Sequence, residues 1–245
     1  MMQIDRLFNE IDPKVGGFTF DQNVARVFDD MIARSVPLYA DVQRLLPVLA
    51  SLLDHPVIKV VDLGCSTGTS LIHLAQSLPD RQFELVGVDN SPSMLEKCSE
   101  KLSTFGLQDQ IELIQGDICD FDIQNASIVL MNYTLQFVEL PNRPALLARI
   151  CQSICPGGFM LVSEKVSHHQ LAVDDALVDL YFEFKRRNGY SDLEIARKRE
   201  ALENVLVPVT IDENRRMFGE AGFVDVELML KWFNFATFVA RVSKG

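Results

Sequence analysis

Residues 60–68 read Val-Val-Asp-Leu-Gly-Cys-Ser-Thr-Gly, and this stretch constrains the fold more than any other. An apolar run (Ile58, Val60, Val61, Leu63) enters a turn holding Gly64 and Gly68. Leu71, Ile72, Leu74, Ala75 and Leu78 follow at helical spacing. A buried strand, a glycine turn and a helix make the ligand-facing half of a βαβ unit. Glycine lets the backbone pass close to a ligand where a Cβ would clash. One position departs from that pattern: nucleotide loops of this shape usually carry a glycine between the outer two, and here it is Ser66.

The same alternation continues along the chain. The pattern predicts strands at 57–63, 83–88, 111–115, 127–132 and 159–163, with helices at 69–78, 92–105 and 143–154 between them. Ser91-Pro92 supplies a cap and a first-turn proline for the second helix. Pro156-Gly157-Gly158 turns into the fifth strand. Upstream, residues 1–20 read as a polar lead, and Phe18 to Leu53 as helices interrupted at Pro37, which leaves Leu38-Tyr39 at a bend. Residues 165–208 break the rhythm with two helices, 172–187 and 192–206. The second opens on Ser191 and Glu194 at capping-box spacing. A helix at 212–221 and strands at 224–231 and 235–242 close the pattern. The order predicts a doubly wound α/β fold, Rossmann-like, with a mostly parallel seven-stranded sheet. We expect one domain over 1–245, with 1–55 as a helical cover and 165–208 as a two-helix lid.

Charge and cysteine content narrow the function. Lys plus Arg number 23 against 34 Asp plus Glu, a net charge of −11. Phosphate contacts need clustered basic charge, so direct nucleic-acid binding is not expected. Five cysteines (Cys65, Cys98, Cys119, Cys151, Cys155) include no CxxC and are expected to be reduced, with Cys151 and Cys155 on one helix face. The histidines show no zinc spacing; His168-His169 reads as a polar loop, and no metal is expected. There is no apolar signal core and no run of the ~20 apolar residues a membrane span needs. We therefore expect a cytoplasmic protein with a small-molecule ligand.

In doubly wound sheets the ligand lies beyond the carboxyl ends of the strands. Those ends carry Gly64, Asp89, Asp117 and Asn132. Asp89 can accept both ribose hydroxyls. Asp117-Ile118 suits adenine, with a carboxylate for the amine and an apolar side chain for the ring. Asn132 ends an apolar strand where packing gives no reason for an amide. On the helix 192–206, Ile195, Arg199, Leu202 and Leu206 share a stripe, with Arg197 and Lys198 off it. An inward arginine needs an anion, either Glu203 one turn on or a ligand carboxylate gripped bidentately. Lys185, Arg186 and Arg187 read as a solvated helix end. No Asn-Pro-Pro-Tyr or Pro-Cys motif and no clear His or Lys base offers to activate a methyl acceptor.

The loop does not match the G-x-G-x-x-G of dinucleotide sites. Asp62, the acid after the second strand, the Gly-Asp after the third and the Pro-Gly-Gly before the fifth resemble the class I S-adenosylmethionine-dependent methyltransferase fold over about residues 57–163. A narrower resemblance covers nearly the whole chain. Phe-Thr-Phe-Asp at 18–21, Asp-Met-Ile-Ala-Arg-Ser-Val-Pro at 30–37, Asp-Leu-Gly-Cys-Ser at 62–66, Asp-Asn-Ser-Pro at 89–92, Gly-Asp-Ile at 116–118 and Leu-Gln-Phe at 135–137 match it. So do Phe-Lys-Arg at 184–186, Asn-Gly-Tyr-Ser at 188–191, Leu-Glu-Asn-Val at 202–205 and Phe-Asn-Phe at 233–235. These segments resemble the carboxy-S-adenosyl-L-methionine synthase family.

That resemblance implies a reaction of S-adenosyl-L-methionine with prephenate, giving carboxy-S-adenosyl-L-methionine and phenylpyruvate. The product is the donor for 5-oxyacetylation of wobble uridine in tRNA. It implies that Tyr39, Gly64, Cys65, Ser66, Asp89, Asn90, Asp117, Ile118 and Asn132 bind S-adenosylmethionine, and that Arg199 holds the carboxylate placed on its methyl carbon. It also implies a homodimer, to which the apolar helix face at Val173, Leu177, Leu180, Tyr181 and Phe184 could contribute. Two other readings compete: a methyltransferase acting on a small acidic acceptor, and a non-catalytic S-adenosylmethionine-binding regulator.

Overall fold

The computed structural model describes residues 4–10, 18–203 and 205–244. Part of the polar lead (1–3, 11–17) and Asn204 of the 202–205 segment lie outside the described residues. In chain order the elements are α1 (Leu7–Glu10), α2 (Gln22–Ser35), α3 (Tyr39–Ser51), β1 (Val57–Leu63), α4 (Thr69–Ser77), β2 (Gln82–Asp89), α5 (Pro92–Phe105), β3 (Ile111–Gln115) and β4 (Ala126–Asn132). Then come α6 (Arg143–Ser153), β5 (Ile154–Ser167), α7 (Leu171–Arg187), α8 (Asp192–Leu202), β6 (Val209–Thr210), α9 (Ile211–Glu220), β7 (Asp225–Trp232) and β8 (Phe235–Arg241).

The strands line up as β3-β2-β1-β4-β5-β8-β7, with β6 pairing only to the end of β5. β1 to β5 are parallel, and β8 runs antiparallel between β5 and β7. Side-chain alternation divides the core between the two faces. Val61, Val129, Met160 and Val162 pack with α6 and α9 through Leu146, Leu147, Ile150 and Phe218. Their neighbours Val60, Ile128, Phe159 and Leu161 pack with α3, α4 and α5 through Leu46, Leu71, Leu74 and Leu102. The strand order reverses between β1 and β4, so the loops after these strands diverge and leave a crevice at their carboxyl ends.

The expected caps are present. The Ser91 hydroxyl accepts from the Met94 N–H, Gly106 ends α5 at φ +69°, and Ser191 and Glu194 form a reciprocal capping box. A second box, Thr210 with Glu213, starts α9.

Several expectations need correction. The helix expected over 192–206 ends at Leu202, so Leu206 leaves the stripe. The fifth strand is much longer than 159–163, beginning at Ile154, so Cys155 is not on the helix with Cys151. All five cysteines are free. The two-residue β6 had no signal, being too short for periodicity. The lead is not merely polar: Phe8 of α1 packs against α2 and Ala201 of α8, and Asp5 is buried. The Asp5 N–H donates to Asp30 Oδ2 at 2.6 Å, and Asp5 Oδ2 accepts the Tyr190 hydroxyl at 2.6 Å, tying the lead to α2 and the α7–α8 turn.

Candidate active site

The loop after β1 is shaped by backbone constraint. The N–H groups of Gly64 and Cys65 both donate to the Val88 carbonyl, at 2.8 and 3.0 Å, holding the loop against β2. Gly64 has φ +79°, and a Cβ there would lie 2.5 Å from Thr134 Oγ1, so only glycine fits. The position that lacked its glycine still takes the glycine conformation: Ser66 has φ +49°. A left-handed serine costs about 1–2 kcal/mol. Its N–H is thereby aimed at Asp89 Oδ2, 2.8 Å away.

Asp89 is the hinge of this rim. Its other oxygen, Oδ1, accepts the Ser91 N–H at 2.9 Å. The Asn90 N–H is a third backbone donor to this carboxylate. Burial raises its pKa, and the N–H donors oppose that rise. Asp62, at the end of β1, is fully buried, and desolvation followed by the nearby Asp89 pushes it up to about 7. Sequence reasoning used Asp62 only as a motif residue, although it lines the same cleft. Asp117 is exposed, with Oδ1 accepting the Cys119 N–H at 2.8 Å, and Ile118 beside it is half-buried. Asn132 has a structural explanation after all. Its Nδ2 donates to Ser70 Oγ at 3.2 Å and its Oδ1 accepts from Ser163 Oγ at 3.0 Å, joining β4 to α4 and β5. Tyr39 opens α3 after Leu38 turns the chain at φ +58°. Burial raises the pKa of its hydroxyl.

The opposite wall is basic. Arg199 lies at the cleft, exposed, with Cζ 5.9 Å from the Phe182 ring centroid. Glu203 also lines the cleft, and the two form no ion pair. The expected inward stripe on α8 is rotated by about one residue. The buried positions are Glu194, Ile195, Lys198 and Ala201, because α8 packs against α1 and α2 as well as the cleft. Arg199 therefore sits at the margin, and Lys198 is the buried cation, donating to Ser35 Oγ at 3.2 Å. The expected solvated helix end is only partly so. Arg186 and Arg187 are exposed, but Lys185 is buried with Nζ 4.5 Å from the Tyr181 centroid. The spacing of Val178, Tyr181 and Lys185 holds the missed signal: it puts the lysine on the cleft-facing side with two residues that line it. Lys165, on β5, approaches the same ring at 5.7 Å.

One cleft of about 730 Å³ gathers these groups. It brings together Tyr39, Gly64, Cys65, Ser66, Asp89, Asn90, Asp117, Ile118, Asn132 and Arg199, and adds Asp62, Lys165, Lys185 and Lys198. Among the described residues, no group of three or more His, Cys, Asp or Glu could hold a metal ion, and no helix is long and apolar enough to cross a membrane.

Comparison with known proteins places this arrangement. The family model described as a methyltransferase domain matches residues 60–158. An O-methyltransferase family protein from Burkholderia thailandensis superposes with a TM-score of 0.65 at 15% identity, over 97% of this chain and 67% of that one. Human N-acetylserotonin methyltransferase, solved with S-adenosylmethionine, gives 0.59 at 17% identity; 91% of this chain covers 55% of it. The fold is therefore that of the S-adenosylmethionine-dependent methyltransferases. Sequence similarity is narrower. Carboxy-S-adenosyl-L-methionine synthase of Aliivibrio fischeri is 40% identical over 98% of this chain and 99% of its own length. The enzyme of that name from Haemophilus ducreyi is 41% identical over 98% of both. The chain belongs to the carboxy-S-adenosyl-L-methionine synthase family.

Proposed function

We propose that this protein carboxylates the methyl group of S-adenosyl-L-methionine with carbon dioxide from prephenate, releasing carboxy-S-adenosyl-L-methionine and phenylpyruvate. The observation that carries this reading is a single cleft with an acidic rim and a basic wall, in a chain similar to the family's members along its whole length. The rim suits a nucleoside: Asp89 for the ribose hydroxyls, Asp117 for the adenine amine and Ile118 for the ring face. The loop Gly64-Cys65-Ser66 lies against the methionine part, with Tyr39, Asn90 and Asn132 completing the contacts. The wall suits carboxylates, with Arg199 for the one newly formed on the methyl carbon.

The sulfonium acidifies its methyl group. Loss of a methyl proton leaves an ylide carbon, which attacks carbon dioxide as prephenate decarboxylates. Prephenate loses carbon dioxide and hydroxide as its ring becomes aromatic, and the hydroxide takes up the methyl proton as water. The balance therefore needs no separate methyl acceptor and no net protein base, in keeping with the absence of acceptor-activating motifs.

In this reading the whole chain acts as one cytoplasmic domain, with 165–208 as its lid. The product is consumed in 5-oxyacetylation of wobble uridine in tRNA. A homodimer would use the exposed side of α7, where Val173 and Leu180 are open; Tyr181 instead turns into the core.

Mass spectrometry of a reaction with S-adenosylmethionine and prephenate tests the proposal. Carboxy-S-adenosylmethionine and phenylpyruvate, formed together, are the expected products. Demethylated cofactor in the presence of an acidic acceptor, without the carboxylated form, would overturn it in favour of a methyltransferase. Arg199→Ala should weaken the carboxylated ligand about ten- to hundredfold, the size of a lost charged contact. Binding of S-adenosylmethionine itself should change little. Equal losses for both would remove Arg199 from the carboxylate.

A further inference from the structure

Four cations meet at the wall of the cleft from three elements: Lys165 on β5, Lys185 on α7, and Lys198 and Arg199 on α8. Lys185 and Lys198 are only 5% and 8% exposed. Among the described residues, no carboxylate lies within ion-pair distance of any of the four. Asp5 is the buried acid that acts on Lys185 and Lys198 through space, yet its oxygens are engaged by the Tyr190 hydroxyl and the Leu7 N–H, at 2.6 and 3.1 Å. Asp174 acts on Lys165 in the same indirect way. The cations also oppose one another, Lys198 and Lys165 acting on Lys185, and Arg199 on Lys165.

Such a cluster is hard to explain by packing. Burying an ammonium without a counter-ion costs several kcal/mol, and leucine or methionine would fill the space without that cost. Aromatic faces offset part of it: Tyr181 for Lys165 and Lys185, and Tyr190 for Lys198 at 5.8 Å. In a chain of net charge −11, four cations around one wall with no carboxylate partner among the described residues mark a place where negative charge is meant to arrive.

We propose that Lys185 and Lys198, supported by Lys165, form the binding site for the carboxylate that the dianionic co-substrate retains. This rests on the function proposed above. The retained carboxylate is gripped by the two buried ammonium groups, and the carbocycle lies against the rings of Tyr181 and Phe182. The departing carboxyl group is left facing the sulfonium methyl, on the side of Arg199. The two lysines are thus specificity-determining residues for the second substrate, separate from the nucleoside rim.

Lys185→Met and Lys198→Met test this, with melting temperature as the folding control, since methionine suits a buried site. Each should raise KM for prephenate about ten- to hundredfold, as for a lost charged contact, and leave the Kd for S-adenosylmethionine within about twofold. Lysine-to-arginine changes should restore part of the loss. A parallel weakening of both ligands, or an unchanged KM for prephenate, overturns the proposal while leaving the carboxylation reading intact. If the wild-type protein does not turn over prephenate, calorimetry of prephenate and of succinate on the S-adenosylmethionine-loaded protein decides. Binding that the two Met variants lose upholds the anion site although the reaction is wrong; no binding of either dianion overturns the site.

Discussion

The acidic rim and the basic wall of the cleft are built by opposite means. At the rim, Asp89 accepts the Ser91 N–H from its own turn and the Ser66 N–H from the loop after β1, Asp117 accepts the nearby Cys119 N–H, and the loop from Gly64 to Gly68 is pinned to β2. At the wall, Lys165, Lys185 and Lys198 come from distant elements, lie over aromatic rings and lack a carboxylate partner among the described residues. The rim is held by backbone donors, whereas the wall has no ion-paired acid among the described residues; at the anion site proposed above, a bound carboxylate would relieve that repulsion.

Removing Asp89 should have the largest effect. Asp89→Ala leaves the Ser66 and Ser91 N–H groups without their acceptor, which is expected to cost ~2–4 kcal/mol of stability. With the proposed ribose contacts and the loop geometry lost together, S-adenosylmethionine affinity should fall more than about a hundredfold. Denaturant unfolding and calorimetry measure the two losses. Retained cofactor affinity would break the picture of a preorganised rim.

The basic wall should respond to pH above about 8. Burial holds the Lys198 ammonium down to about 8; Arg34 acts in the same direction and Asp5 against it, while Lys185 adjoins it and Ser35 accepts its hydrogen bond. An unfolded lysine titrates near 10.4. Between those values the unfolded chain binds the extra proton, so the stability contributed by this residue rises with pH, by at most about 3 kcal/mol. Prephenate affinity should fall over the same range as the ammonium becomes neutral, while S-adenosylmethionine affinity holds. Measured as wild type minus Lys198→Met, stability and affinity should therefore move in opposite directions from pH 8 upward. A flat difference in both would mean that Lys198 is charged and paired throughout.

The smallest effect belongs to Ser66. Ser66→Gly relieves a left-handed serine and should stabilise the protein by up to about 1 kcal/mol, with cofactor affinity within a few-fold. Tighter folding with intact binding would show that the loop needs the backbone conformation alone. A marked loss of affinity would assign the hydroxyl a direct contact.

These differences track what could be read from the chain. Gly64, Asp89 and Asp117 are legible because each follows an apolar strand, and Asx-type bonds from Ser91 and Cys119 hold the two acids locally; the Thr134 side chain that excludes a Cβ at Gly64 and the Ser66 N–H at Asp89 come from elsewhere in the chain. The capping box at Ser191 and the proline-led helix at 92 were legible for the same reason. Asn132 was harder, since its partners Ser70 and Ser163 lie on other elements. Lys185 was misjudged because charged residues before a glycine usually end a helix in water, and only the packing of α7 over the cleft turns this one inward.

By itself the sequence determined the alternating strands and helices, the glycine loop after β1, the acids at the strand ends and the family to which the chain belongs. Short-range rules govern all of these: period, capping, turn chemistry and contiguous motif. Tertiary structure alone decided how α8 is rotated against its neighbours, which puts Lys198 on the buried stripe and leaves Arg199 at the margin of the cleft. It also decided that lysines on three elements face one wall with no ion-paired acid among the described residues. The physical reason is that the cost of burying a charge depends on everything packed around it, and those neighbours are set by the fold and not by adjacent residues.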